Sequence, residues 1–125
     1  MATARRFASE LSQVGLSIVS GLAIGIDAQA HQGALDADGV TLALSATGPD
    51  RIYPARHSAL ARHIARSGAI LSEYPLGEGV YRRRFPERNR LIAALGFGVV
   101  IIEAARRSGT PVSYTHLTLP TILLV

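Results

Sequence analysis

LSIVSGLAIGIDAQAHQGALDADGVTLALSA, residues 16–46, is the stretch whose reading decides the fold. It opens on a short apolar run, LSIVS (16–20), that stops at Ser20-Gly21. A second glycine, Gly25, precedes IDAQAHQGALDAD (26–38), which reads as a helix ended by Gly39. VTLALSA (40–46) is the second apolar run. Near-continuous apolar runs of this length fit strands buried on both faces, and a helix between two such strands makes a parallel crossover unit.

Outward from this unit the alternation continues. Residues 3–14 place Phe7, Leu11 and Val14 at helical spacing, and Gly15 stops the run. TGPDRIYP (47–54) is a loop punctuated by Gly48, Pro49 and Pro54. ARHSALARHIARSG (55–68) is helical, AILSEY (69–74) is a strand, and PLGEGVYRRR (75–84) is an irregular connection. PERNRLIAALG (86–96) is a helix with proline in its first turn and glycine at its end, and GVVIIEA (98–104) is a buried strand. The expectation is a doubly wound α/β architecture, a mainly parallel sheet with helices on both faces. Ligands bind such sheets beyond the carboxyl ends of the strands. SGLAIGID, TGPDRIYP, EYP and EAARRSG all follow strand ends, so four candidate loops share one edge.

Composition narrows the chemistry. The 125 residues suit one domain, and 48 % are hydrophobic. No run approaches the roughly 20 apolar residues of a membrane span. The N-terminus, MATARRFASEL, lacks an apolar signal-peptide stretch, so the cytoplasm is the expected location. With no cysteine, disulfides, thiolate metal sites and cysteine nucleophiles are excluded. His31, His57, His63 and His116 form no HExxH pattern, and neither a metal nor a cofactor is expected. The net charge is +4, and all 13 basic residues are arginine. A GC-rich genome also produces an all-arginine set, so clustering says more than the excess. Arg82, Arg83, Arg84, Arg88 and Arg90 lie together in YRRRFPERNR, and multivalent phosphate binding needs cations within mutual reach.

The Ser20-Gly21 turn and Gly25 would expose backbone N–H groups near a helix N-terminus, where phosphate is favoured, although a plain strand–helix turn looks the same. Asp27 would cap that helix, and its charge opposes a close second anion. On a helix beginning at Pro86, the buried stripe is Leu91, Ile92 and Leu95, and Arg88 falls on that face while Arg90 points away. An arginine on a core-facing stripe needs a partner. One reading has Arg88 facing a ligand at the sheet edge; the other pairs it with Glu73 or Glu103. Arg82 to Arg84 read most simply as a solvated surface. Phe85 beside these arginines suits single-stranded nucleic acid, guanidinium to phosphate and ring to base. Tyr53-Pro54 and Tyr74-Pro75 aim two rings reproducibly, for base stacking or as rim residues. Glu73 and Glu103 read as groups that orient arginines. His31 reads as structural, and His57 and His63 as surface helix positions. Neither a GxSxG nor a P-loop occurs.

SGLAIGIDAQAHQGAL, GPDRIYP, LSEYP, FPERNRLIAALG and VVIIEAARRSG occur in the order seen in the DNA-processing protein A family (DprA, also called Smf), and the resemblance covers roughly residues 3 to 110. It implies a Rossmann-like domain that binds single-stranded DNA, forms a homodimer and loads the RecA recombinase onto incoming DNA during natural transformation. It implies no catalytic activity. Carried over by position, Ser20, Gly21 and Gly25 would form part of a DNA-phosphate pocket, and Phe85, Arg88, Asn89 and Arg90 would line the DNA-binding side. The chain departs from the family pattern in places. Ile24 stands where the family usually has arginine, which removes a charge-assisted hydrogen bond worth on the order of 1.5–3 kcal/mol. Ala46 replaces a glycine in the turn before YP. The family's first strand and GSR-type turn are expected before Met1.

The C-terminal segment has a different character. No charged residue follows Arg107, and VSYTHLTLPTILLV (112–125) is rich in threonine and leucine. Back-translated, VSYTHLTLPT resembles a transposon-end adapter used in sequencing-library preparation, read in frame. The expected organisation is one partial domain over 1–111 and a non-native tail over 112–125, which would replace much of the family's dimer and RecA-contacting surface. The winged-helix domain found in many members is not in this sequence. Two other readings stand beside DNA binding. One is a nucleotide-handling enzyme of the lysine-decarboxylase-like phosphoribohydrolase group, whose PGGxGT-type loop is missing here. The other is an inert fragment whose ancestor bound DNA.

Overall fold

A computed structural model describes residues 2–98 and Val100. In chain order the elements are α1 (Ala2–Gln13), β1 (Ile18–Ser20), α2 (Ile26–Asp36), β2 (Thr41–Leu44), a single 3-10 turn (Ala55–His57), α3 (Ser58–Ser67), β3 (Ala69–Leu71) and α4 (Arg84–Leu95). The three strands are parallel in the order β1-β2-β3, with Ile18 opposite Thr41 and Leu42 opposite Ala69. This is the expected α/β arrangement.

Alternation along the strands assigns the helices to two faces. Ile18 packs with Ala30 and Ala34 of α2 and Ala8 of α1, and Ala43 packs with Ala61 and Ile64 of α3. Val19 and Leu44 point the other way, onto Ile92 of α4. Ile18, Ile64 and Ile92 are fully buried, each contributing about 1.5–3 kcal/mol from removal of apolar surface from water.

The stripe expected on α1 is corrected. Phe7 is 44 % exposed and Val14 73 %, whereas Ala4 and Ala8 are fully buried. The reason is the closeness of α1 to α2. A Cβ on Gly33 would collide with the carbonyl oxygen of Arg5, so only small side chains fit between these helices.

Other elements differ at their ends. β3 stops at Leu71 because Ser72 turns the chain: its hydroxyl donates to the Thr47 carbonyl at 2.6 Å and accepts from the Tyr74 N–H at 3.0 Å. α4 starts at Arg84, ahead of Pro86, and Leu95 is half exposed rather than buried. Of GVVIIEA, Gly98 and Val100 are described, and Val100 packs against the Ile18 cluster. Glu103, the EAARRSG loop and residues 112–125 lie outside the described residues. No described helix is long and apolar enough to cross a membrane.

Candidate nucleic-acid interface

The site is built where β1 and β2 end. Arg88 lies one turn into α4, on the face that carries Ile92, so its side chain enters the interior at the strand ends. It is 5 % exposed. Its Nη1 donates to the carbonyls of Gly21 (2.7 Å) and Leu44 (2.8 Å), and its Nε donates to Asn89 Oδ1 at 2.9 Å. The terminal carbonyls of a parallel sheet are thus satisfied by one guanidinium. Among the described residues, Nη2 meets no acceptor.

Asp27 is the counter-charge. Its Oδ2 accepts from the N–H of Gly21 at 3.0 Å and of Ala23 at 3.4 Å, and the Ser20 hydroxyl also bonds to the carboxylate. The Gly21 peptide therefore joins the two charges, its N–H on Asp27 and its carbonyl on Arg88. A Cβ on Gly21 would lie 2.6 Å from Arg88 Cζ and 2.9 Å from Asp27 Oδ2, so glycine is required by crowding. Burial pushes the Asp27 carboxyl up, against the opposing pull of Arg88. Burial also lowers the Arg88 pKa, with Asp27 opposing. Arg88 thus faces Asp27 across the Gly21 backbone while Glu73 holds Arg90; Glu103, the other partner that one reading named, lies outside the described residues. Asp27 caps the preceding turn rather than its own helix.

The turn itself is held by two histidines. Leu22 has φ 65°, in the left-handed region that costs a β-carbon residue about 1–2 kcal/mol. Its N–H donates to His31 Nε2 at 3.2 Å, and its carbonyl accepts from His57 Nδ1 at 2.8 Å. His31 is fully buried, and its Nδ1 contacts Thr41 Oγ1 at 2.7 Å, which donates onward to the Ile18 carbonyl at 2.9 Å. Burial lowers the His31 pKa to about 3, so the ring is neutral and accepts from Leu22. The structural role expected of His31 agrees with this. His57, expected at the surface, is half-buried and bonded, because the 3-10 turn after Pro54 rotates it back under the loop.

Gly25 carries φ 97° at the start of α2, a conformation open to glycine and strained for other residues. The N–H groups of Gly25 and Ile26 meet no acceptor among the described residues. They follow directly on Ile24, which lines a cavity of about 110 Å³ together with Gly21, Ala23, Tyr53, Phe85 and Arg88. The rings of Tyr53 and Phe85 are 5.7 Å apart, and the Arg88 guanidinium is 5.7 Å from the Phe85 centroid. Two rings and a guanidinium thus share one concavity.

The expected site residues fall into three positions. Gly21, Phe85 and Arg88 line the cavity, and Gly25 follows its lining residue Ile24 at the start of α2. Ser20 is fully buried and bonded to Asp27, and Asn89 holds Arg88. Arg90 lies outside, its Nη2 at 3.1 Å from both oxygens of Glu73. Arg82 and Arg83 are exposed as expected, but Arg84 is not a solvated residue: its guanidinium stacks on Tyr74 and Tyr81 at 4.3 and 4.4 Å. Among the described residues, Arg51, Arg56, Arg62, Arg66, Arg82 and Arg83 make no ion pair; Arg62 and Arg66 lie on α3, and the other four stand on connections at this edge. Sequence reading passed over Arg51 and Arg56. Their position after a strand and around Tyr53-Pro54 was the signal. No group of titratable side chains that could hold a metal occurs among the described residues.

Residues 1–117 match the family of DNA recombination-mediator protein A. Protein Smf of Synechocystis is 48 % identical over 105 residues, covering 84 % of this chain and 26 % of the relative. The solved structure of DNA processing protein A from Streptococcus pneumoniae superposes with a TM-score of 0.81 at 34 % identity, over 99 % of this chain and 46 % of that one. DNA processing protein A from Helicobacter pylori, solved for its single-stranded DNA binding mode, gives 0.83 at 37 % identity over 91 % of this chain and 52 % of that one. The fold is therefore Rossmann-like. The chain spans about a quarter of the length of the curated relatives it matches.

Proposed function

Because the chain belongs to the DNA recombination-mediator protein A family, we propose that it binds single-stranded DNA at the carboxyl edge of its sheet. The observation that carries this reading is the shared cavity. The Arg88 guanidinium and the Tyr53 and Phe85 rings line it. The N–H groups of Gly25 and Ile26 follow directly on its lining residue Ile24 and meet no acceptor among the described residues. Arg51, Arg56, Arg82 and Arg83 stand on connections at the same sheet edge with no ion pair among the described residues. A phosphate takes the N–H groups and the cation, and a base takes the ring. Ser20, Gly21 and Asn89 serve by fixing Arg88 and the turn. Arg90, tethered to Glu73, is an outer contact.

The wider role is that of a mediator in the cytoplasm. It binds incoming single strands during transformation, hands them to the RecA recombinase and works as a homodimer, by binding rather than catalysis. The binding unit is residues 1–111, and residues 112–125 stand outside it.

A salt titration with fluorescently labelled oligo-dT tests the reading. The expected dissociation constant is on the order of micromolar or weaker at low salt. The log–log salt slope should be about −0.7 for each phosphate neutralised, and single strands should be preferred to duplex. Salt-independent binding, equal affinity for duplex, or hydrolysis of a nucleoside monophosphate would overturn it.

A further inference from the structure

The three consecutive arginines of the YRRRFPERNR run are not equivalent. Arg82 and Arg83 are exposed, whereas the Arg84 side chain is 12 % exposed. Its guanidinium lies 4.3 Å from the Tyr74 ring centroid and 4.4 Å from that of Tyr81, and its Nη2 donates to Glu78 Oε1 at 2.9 Å. Its Nη1 is buried with no hydrogen-bond partner among the described residues. Each of its partners is anchored in turn. The Tyr74 hydroxyl donates to Glu87 Oε2 at 2.7 Å, in the first turn of α4. The Glu78 carbonyl accepts from Gly48 N–H at 2.9 Å, and Gly77 N–H donates to Asp50 Oδ1 at 2.9 Å. One guanidinium thus ties three segments together: the exit of β3, the loop that carries Tyr53, and the start of α4 that carries Phe85.

We propose that Arg84 is a positioning residue for DNA binding: it fixes the 75–83 connection so that Arg82, Arg83 and Phe85 are presented at the cavity, and it makes no phosphate contact itself. Two tyrosine rings lie within 4.4 Å of the guanidinium and Glu78 takes one of its nitrogens, so a direct phosphate contact would need these partners to give way. A planar, stacked cation cannot be replaced by lysine, whose ammonium is a point charge with no face to stack.

The inference rests on the DNA-binding reading for its functional half, and its structural half is read without DNA. Four variants of the full chain are compared: Arg82→Ala, Arg84→Ala, Arg84→Lys and Tyr81→Leu. Tyr81 is half exposed, so Tyr81→Leu keeps the test sound if loss of Arg84 impairs folding. Amide hydrogen exchange across residues 75–83 should rise in Arg84→Ala, Arg84→Lys and Tyr81→Leu, and stay unchanged in Arg82→Ala. Oligo-dT affinity should fall about three- to tenfold in those three variants with the salt slope of the unaltered chain. Arg82→Ala should reduce the slope by about 0.7. Unaltered exchange in both Arg84 variants overturns the positioning role. So does a slope reduced in Arg84→Ala, or affinity restored by lysine. An unaltered chain that fails to bind oligo-dT at low salt defeats the DNA-binding reading instead, and the exchange result still decides whether Arg84 holds the connection.

Discussion

Arginine is used in opposite ways on α1 and at the sheet's carboxyl edge. On α1, Arg5 meets Asp36 at 2.6 Å and Arg6 meets Glu10 at 3.3 Å one turn away, both pairs exposed. Each charge is neutralised locally. At the edge, Arg51, Arg56, Arg82 and Arg83 make no ion pair among the described residues, and Arg88 is drawn inside against Asp27. The lesson is that net charge says little about function here. What matters is where a cation is left uncompensated and whether donors and rings lie beside it.

The largest break in this comparison comes from Arg88→Ala. Removing one partner of a buried charge pair leaves Asp27 uncompensated and the carbonyls of Gly21 and Leu44 without donors. Urea denaturation should show a loss on the order of 3–5 kcal/mol, and oligo-dT binding should disappear. The pH dependence has a definite sign. The Asp27 carboxyl is already raised in the folded chain. A raised acid contributes its stability below its unfolded pKa and loses it as pH rises through the folded value. Without Arg88 that folded value climbs further, so the deficit should grow with pH. A loss of less than about 1 kcal/mol would mean that the guanidinium only lines the cavity and does not hold it together.

The fold and the placement of Arg88 were legible because both are written as local patterns. Apolar runs bounded by glycine marked β1 and β2, and the spacing from Arg88 to Leu91 and Ile92 put it on the core-facing stripe. Long-range closures were not legible. Nothing local says that Asp27 reaches back to the Gly21 N–H, that His57 bonds a carbonyl 35 residues away, or that Arg84 stacks between Tyr74 and Tyr81. α1 was misread for a related reason. Periodicity favours large side chains such as Phe7 and Val14, whereas helices that approach as closely as α1 and α2 select alanine and glycine.

The second test separates the interior of the site from its surface by acid. His31 must stay neutral to accept from Leu22, and burial holds its pKa near 3, below the ordinary 6.5. A histidine depressed in the folded state contributes stability above its unfolded pKa and loses it as pH falls toward the folded value. Between pH 6.5 and about 3 this one group should lower stability with a slope approaching 1.4 kcal/mol per pH unit. His31→Gln should flatten that slope while lowering stability at neutral pH. An unchanged acid profile would show that a neutral His31 ring is not what holds the Leu22 turn.

Ile24→Arg sharpens the comparison in the other direction. Ile24 is 61 % exposed at the cavity mouth, on the turn leading into α2. A guanidinium there adds an uncompensated cation beside Arg88 at little cost to packing, since a solvent-facing isoleucine is replaced. Oligo-dT affinity should rise several-fold, and the salt slope should steepen by about 0.7. Unchanged binding would place the phosphate path elsewhere along the edge.

The smallest effect is expected from Arg5→Ala combined with Arg6→Ala, and it tests the comparison most directly. This pair of changes removes two positive charges, as does Arg82→Ala combined with Arg83→Ala, so both double variants go from +4 to +2 (4 − 2). If overall charge drove DNA binding, the two would weaken it alike. Screening argues otherwise. At about 0.1 M salt a charge is felt over roughly 10 Å, and Arg5 and Arg6 are already matched by Asp36 and Glu10 on the α1–α2 surface. The α1 double variant should therefore leave both the affinity and the salt slope where they were. The edge variant should reduce the slope by about 1.4, two phosphate contacts at roughly 0.7 each. Equal losses in the two would show that the chain binds DNA as a diffuse cation, with no use for the cavity beside Arg88.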